Sequence, residues 1–166
     1  MDGPPAADTA ALRSVAHGYA AAVDALDGPA FADLFTEDGE LWVPDPIAGF
    51  DPTIMRSGRA RLERIPSGLA KYHATYHAIL SAAYDVDGDR ATGTVTGVAH
   101  HVAPDLGAGA VGGLDVIWYL RYADRYVRAG DSWLLARRTL HLRHIENRRI
   151  TNIGPGRPSP RDLPDA

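Results

Sequence analysis

Four of the chain's seven histidines fall within Lys71–Val102, "KYHATYHAILSAAYDVDGDRATGTVTGVAHHV", in two pairs on either side of an Asp-Gly turn. Imidazole titrates near neutrality, so histidines gathered in a pocket can take up and return a proton at physiological pH. They can also ligate a metal. His73 and His77 have the H-x3-H spacing of helical zinc sites. Residues from Tyr72 onward alternate with period two, however, and on an extended strand those imidazoles stand more than ~12 Å apart. One zinc needs all its ligands within ~2.1 Å. Acid–base chemistry is therefore the expectation here, with no metal.

His73 and His77 are an even number apart and share a strand face, whereas His100 and His101 are adjacent and point to opposite faces. Register decides which of the two meets His77. A two-residue Asp87-Gly88 turn would bring His100 there, and a three-residue Asp87-Gly88-Asp89 loop would bring His101. Gly93, Gly97 and Ala99 lie on the His101 face and leave room for a ligand.

The other polar candidates are scattered. Tyr19 lies on the apolar stripe of the first helix, where a buried phenol can donate to a developing oxyanion. Asp24 follows five residues on, roughly 140° around that helix, a solvent-facing position by periodicity. Asp124 shares a strand face with Trp118, Leu120, Tyr122 and Tyr126. A carboxylate there needs a partner; Arg137 or Arg138 of the next strand can supply one, the alternative being a pocket carboxylate with Trp118 and Tyr122 as walls. His141 and Arg143 lie on the last strand, within reach of a pocket mouth.

The elements that must position these groups can be read from the pattern. Asp8 or Thr9 caps a helix whose stripe is Leu12, Val15, Tyr19, Ala22, Val23 and Leu26. Asp27-Gly28-Pro29 ends it and starts a short helix carrying Phe31, Leu34 and Phe35. Thr36–Gly39 reads as a turn and "ELWV" as a strand. Arg59–Leu69 reads as a third helix, weakened by Pro66. Four strands follow: Tyr72 to about Val86, Arg90–Val102, Leu114–Val127 and Trp133 to about Ile145. "APDLGAGAVGG" reads as a mobile loop. Residues 8–147 form the domain, 1–7 a flexible lead and 148–166 a Pro-rich tail. Helices followed by antiparallel hairpins make an α+β fold. Ile117, Tyr119 and Val127 give the third strand a second apolar face, which predicts a homo-dimer or homo-trimer.

Composition narrows the function. The chain has 166 residues, 45% apolar and 23% charged, enough for one domain with a real core. A formal net charge of −4 argues against nucleic acid or acidic membrane as partner. The absence of cysteine excludes thiolate chemistry and disulfides. No apolar run nears the ~20 residues of a membrane span, and the start "MDGPPAADTAALRS" lacks the features of a signal peptide, so a cytoplasmic location is expected. No dinucleotide or phosphate-loop motif is present, so no cofactor is expected.

"YAAAVDALDGPAFADLFTEDGELWV", then "YHAILSAAYDVDGDRATGTV" and "YADRYVRAGDSWLLARRTLHL", together resemble the SnoaL-like branch of the nuclear-transport-factor-2-like superfamily, over roughly residues 8–147. The resemblance implies a cone-shaped curved sheet wrapped around the N-terminal helices and enclosing one pocket. The "Tyr-x-x-x-Val-Asp" spacing is similar to a pair in bile-acid dehydratases, which places Tyr19 and Asp24 at the pocket. Scytalone dehydratases use two strand histidines around a shared water, and these match His77 and His101. Asp45 of "VPDPIAG" resembles in position the general base of ketosteroid isomerases, and Arg143 a basic residue of the bile-acid enzymes. The chain departs from these patterns at Ala99, where the bile-acid enzymes carry aspartate. The resemblance implies a cofactor-independent, dehydratase-type lyase acting next to a carbonyl of a hydroxylated polycyclic or polyketide-like molecule. His77, oriented by Asp24, would take the proton, while Tyr19 and His101 would hold the carbonyl oxygen or the departing hydroxyl; Asp45, Trp118, Tyr122, Asp124, His141 and Arg143 would bind substrate. Isomerase, cyclase and epoxide hydrolase chemistry fit the same scaffold, as do a non-catalytic binder and a dioxygenase small subunit.

Overall fold

Leu12, Val15, Ala16, Tyr19, Ala22 and Val23 are all buried, and they turn one face of α1 (Ala6–Ala25) onto a sheet. The computed structural model describes residues 5–104 and 112–154; most of the glycine-rich loop and of the tail expected from the sequence therefore lie outside the described residues. The helix starts at Pro5 without a side-chain cap. Asp8 is engaged elsewhere: its carboxylate accepts from Arg128 at 2.8 and 3.1 Å and from the Trp133 indole at 3.0 Å, which ties the start of α1 to the sheet. Leu26 closes the helix in a left-handed conformation, φ 59°. Asp27 then caps the short α2 (Gly28–Ala32) by accepting from Ala30 N–H at 2.9 Å.

Six strands follow among the described residues: β1 (Phe35–Val43), β2 (Ile54–Ser57), β3 (Ala74–Asp87), β4 (Arg90–Pro104), β5 (Gly113–Ala129) and β6 (Ser132–Ile150). They form one unclosed sheet in the order β2-β1-β6-β5-β4-β3. The architecture is α+β, with the helices on the inner face of a curved sheet. Two features were not legible beforehand. β1 pairs with β6 in parallel, and Thr36–Gly39 belongs to β1 across a register shift rather than forming a turn. The expected third helix is only α3 (Arg59–Leu62) followed by a 3-10 turn at Pro66–Leu69, because Pro66 cannot donate into a continuing α-helix.

The β3–β4 hairpin answers the register question by a third route. Asp87 pairs with Arg90 around Gly88-Asp89, with Gly88 at φ +57°, the position where a two-residue loop favours glycine. Continued without interruption, that register would set His77 opposite His100. A shift between Ile79 and Ser81 moves it by one, so His77 pairs with Ala99 and Thr75 with His101. His77 and His101 therefore share the inner face.

The core runs from Leu12 through Phe31, Phe35, Tyr122, Tyr126, Trp133 and Leu135. Ile117, expected on an exposed second face, is 1% exposed within the single chain. No helix among the described residues is long and apolar enough to cross a membrane.

Candidate active site

Asp24 leaves the last turn of α1 and reaches over the edge of β3. Its Oδ2 accepts from the His77 backbone N–H at 2.8 Å, and its Oδ1 accepts from Thr75 Oγ1 at 2.9 Å and from His77 Nδ1 at 2.7 Å. One carboxylate thus caps an open strand edge and fixes an imidazole. Burial alone would raise the Asp24 carboxyl, but the two bonds from His77 and the one from Thr75 outweigh it and hold the group below its ordinary value. An ionised carboxylate only accepts, so His77 Nδ1 carries a hydrogen, and Nε2 is the nitrogen left to take up or release a proton. The His77 side chain is 10% exposed. The Asp24 contact thus fixes the orientation of the ring and the hydrogen on Nδ1.

His101 sits 5.7 Å from His77, centroid to centroid, with the rings nearly perpendicular at 86°. Its Nδ1 lies 3.1 Å from the Val116 carbonyl, an acceptor, so Nδ1 again carries the hydrogen. His101 is 4% exposed, and burial pushes its pKa down to about 4, against smaller opposing contributions from Val116, Asp115 and Asp24. It is neutral at physiological pH, with a bare Nε2. Tyr72 and Trp118 each lie 5.0 Å from its ring and make an aromatic wall. Neither Nε2 of the pair has a hydrogen-bond partner among the described residues. His77 and His101, expected as a pair, lie side by side, with Asp24 hydrogen-bonded to His77 and Trp118 packed on His101. One detail changes: a bare nitrogen cannot donate to a carbonyl oxygen, so His101 can hold only a donor, a hydroxyl or a water.

Tyr19 and Tyr122 belong to a second cluster. Arg138, 0% exposed, donates through Nε and Nη2 to Asp124 at 2.9 and 2.7 Å, and Tyr126 O–H donates to the same carboxylate at 2.6 Å. The guanidinium lies 4.2 Å from the centre of the Tyr19 ring and 4.3 Å from that of Tyr122. Burial drives the Tyr19 phenol up to about 12, with Arg138 pulling the other way. Asp124 is thus the carboxylate of a buried ion pair and has no side-chain surface left for substrate. Tyr19 packs on Phe31, Tyr122 and Arg138. In register, the Asp124–Arg138 row is six residues along β5 from the Trp118 row, and Tyr19, Tyr122, Tyr126, Asp124 and Arg138 are all buried there.

The remaining candidates make no side-chain hydrogen bond or ring contact with the His pair among the described residues. Asp45 closes a turn by accepting from Ile47 N–H at 3.1 Å. His141 pairs with Arg121 on the outer face, between buried Leu140 and Leu142, because neighbours on a strand alternate. Arg143 is exposed where the β5–β6 register shifts. Two other histidines have structural partners: His100 Nδ1 meets Asp115 Oδ2 at 2.7 Å on the outer face, and His73 Nε2 meets the Gly154 carbonyl at 3.0 Å. Three contributors escaped sequence reading. Thr75 was findable, since it shares strand parity with His77; Tyr72 and the Val116 carbonyl gave no sequence signal.

The SnoaL-like domain family model matches residues 4–139. No curated protein matches the chain. Solved structures do. A candidate aromatic ring hydroxylase from Novosphingobium aromaticivorans is 23% identical, with 87% of this chain and 96% of that one covered and a TM-score of 0.72. A candidate scytalone dehydratase from the same organism is 21% identical, with 90% and 95% covered and a TM-score of 0.69. The hexachlorocyclohexane dehydrochlorinase LinA-type3 from Novosphingobium barchaimii is 14% identical, with 90% and 95% covered and a TM-score of 0.71. At these identities the likeness is one of fold. With a family match spanning most of its length and the helix-and-curved-sheet fold of these structures, the chain belongs to the SnoaL-like family.

Proposed function

We propose that the protein is a cofactor-independent lyase. It removes a proton from a carbon activated by a neighbouring carbonyl, and a leaving group then departs from the adjacent carbon. The observation that carries this is the grip of Asp24 on His77, which leaves Nε2 bare beside a second bare Nε2. His77 Nε2 takes the proton, the C–H electrons become the new double bond, and the leaving group takes its own bonding pair. The imidazolium so formed faces the Asp24 carboxylate, which stabilises it. His101 accepts from a substrate hydroxyl or from a water between the two rings. The row of Tyr72, His101 and Trp118 suits a flat, unsaturated or polycyclic substrate. Names borne by two similar structures, a dehydratase and a dehydrochlorinase, are those of elimination enzymes.

The test is a panel of cyclic β-hydroxy ketones and their β-chloro analogues, followed by the absorbance of the enone product. Turnover lost in His77→Ala, with the circular dichroism spectrum unchanged, supports the reading; an equally active His77→Ala contradicts it. Self-association of copies is proposed on narrower ground, the 61% and 63% exposure of Tyr76 and Leu80 on β3. Light scattering that finds a dimer or trimer, reduced to monomer by Tyr76→Glu, supports it, and a wild-type monomer refutes it.

A further inference from the structure

A chain with 21 acidic and 17 basic residues places four of its arginines within the nine residues 56–64. Gly58 makes that clustering possible. At φ +80° it turns the end of β2 directly into α3, with its N–H donating to Gly39 at 3.0 Å and its carbonyl accepting from Arg61 and Leu62. Arg59 is neutralised by Asp33. Glu63, the acid within the segment, has its backbone and Cγ against Gly28 of α2 and does not line the groove that results.

That groove, about 440 Å3, is lined by Met55, Arg56, Arg61 and Arg64. No carboxylate pairs with any of these three arginines among the described residues, and Arg56 donates only to the neighbouring Met55 carbonyl, at 3.1 Å. Like charges drawn around one concavity repel unless an anion joins them. The planar guanidinium matches two oxygens of a phosphoryl group at once, and three such forks suit a ligand of several negative charges better than a single carboxylate.

We propose that Arg56, Arg61 and Arg64 form a binding site for a small polyanion of the pyrophosphate class, free or as part of a phosphorylated metabolite. The site shares no residue with the His77 pair and does not depend on the lyase reading.

Calorimetric titration of the full chain with inorganic pyrophosphate at low salt tests it, using Arg61→Gln/Arg64→Gln against a control, Arg121→Gln/Arg125→Gln, on the exposed outer sheet face. The expected result is saturable binding by the wild type, weakened about 10-fold or more in the groove variant, kept in the control and weakened by added salt. Three results overturn the proposal: no binding by the wild type at millimolar pyrophosphate, equal weakening in both variants, or capture by anionic vesicles that pyrophosphate does not compete away.

Discussion

Lowering the pH from 8 to 5 should destabilise this protein through His101 in particular. The ring is 4% exposed, and burial lowers its pKa from 6.5 to about 4. The unfolded chain exposes an ordinary imidazole, so between pH 6.5 and 4 it binds a proton that the folded chain refuses. A folded-state pKa depressed in this way contributes stability that is complete above pH 6.5 and is lost as pH falls towards 4. At about 1.4 kcal/mol per pH unit, the full loss is about 3 kcal/mol, of which about 2 kcal/mol is gone by pH 5. Urea unfolding at pH 8, 6.5 and 5, run on the wild type and on His101→Leu, isolates the contribution. The wild type should lose about 2 kcal/mol more than the variant over that range. Asp24 does not confound the comparison, because its carboxyl lies below its ordinary value and titrates under this window. Parallel slopes for the two proteins, or a His101 ring proton that titrates near pH 6.5 by NMR, would refute the assignment of a neutral, buried acceptor.

Other outcomes follow from the same geometry. Asp24→Asn should lower kcat by about 10²- to 10⁴-fold with a smaller change in KM, since the amide no longer fixes the tautomer of the base; steady-state kinetics on any substrate found in the elimination panel would show it. Arg138→Met leaves Asp124 charged and buried, and should cost about 3–5 kcal/mol in urea unfolding, while Asp124→Leu/Arg138→Met together should recover most of that loss. Gly93→Ala should destabilise by about 1–3 kcal/mol, because its Cβ would lie 2.9 Å from the Tyr84 ring and 3.0 Å from that of Tyr126.

Much of the fold was legible because its determinants are local. The stripe from Leu12 to Val23, the alternation from β3 to β6 and the glycines of the two hairpin turns each encode their own element. What escaped was set at a distance. The parallel pairing of β1 with β6 joins residues about a hundred apart, and nothing in "ELWV" states it. His101 rather than His100 shares the inner face with His77, but that register depends on an irregularity at Leu80, beside the Ile79–Gly97 pair, that the β3 sequence itself does not mark. Asp24 is solvent-facing on a helical wheel and reaches His77 only because α1 ends beside the unpaired edge of β3. Tyr19 was read from helix periodicity, which gave its burial and not its neighbours; Arg138 took the place beside its ring. Asp124 behaved as an apolar-face carboxylate must, finding a cation on the next strand.

The central claim is that Asp24 holds His77 with its hydrogen on Nδ1 and a free lone pair on Nε2. Nitrogen-15 NMR of histidine-labelled protein at pH 8 reads this directly. The account predicts a protonated-type Nδ1 and a bare-type Nε2 for His77, with the preference weakened in Asp24→Asn. A His77 whose Nε2 carries the proton, or whose tautomer ignores the Asp24 substitution, would contradict it.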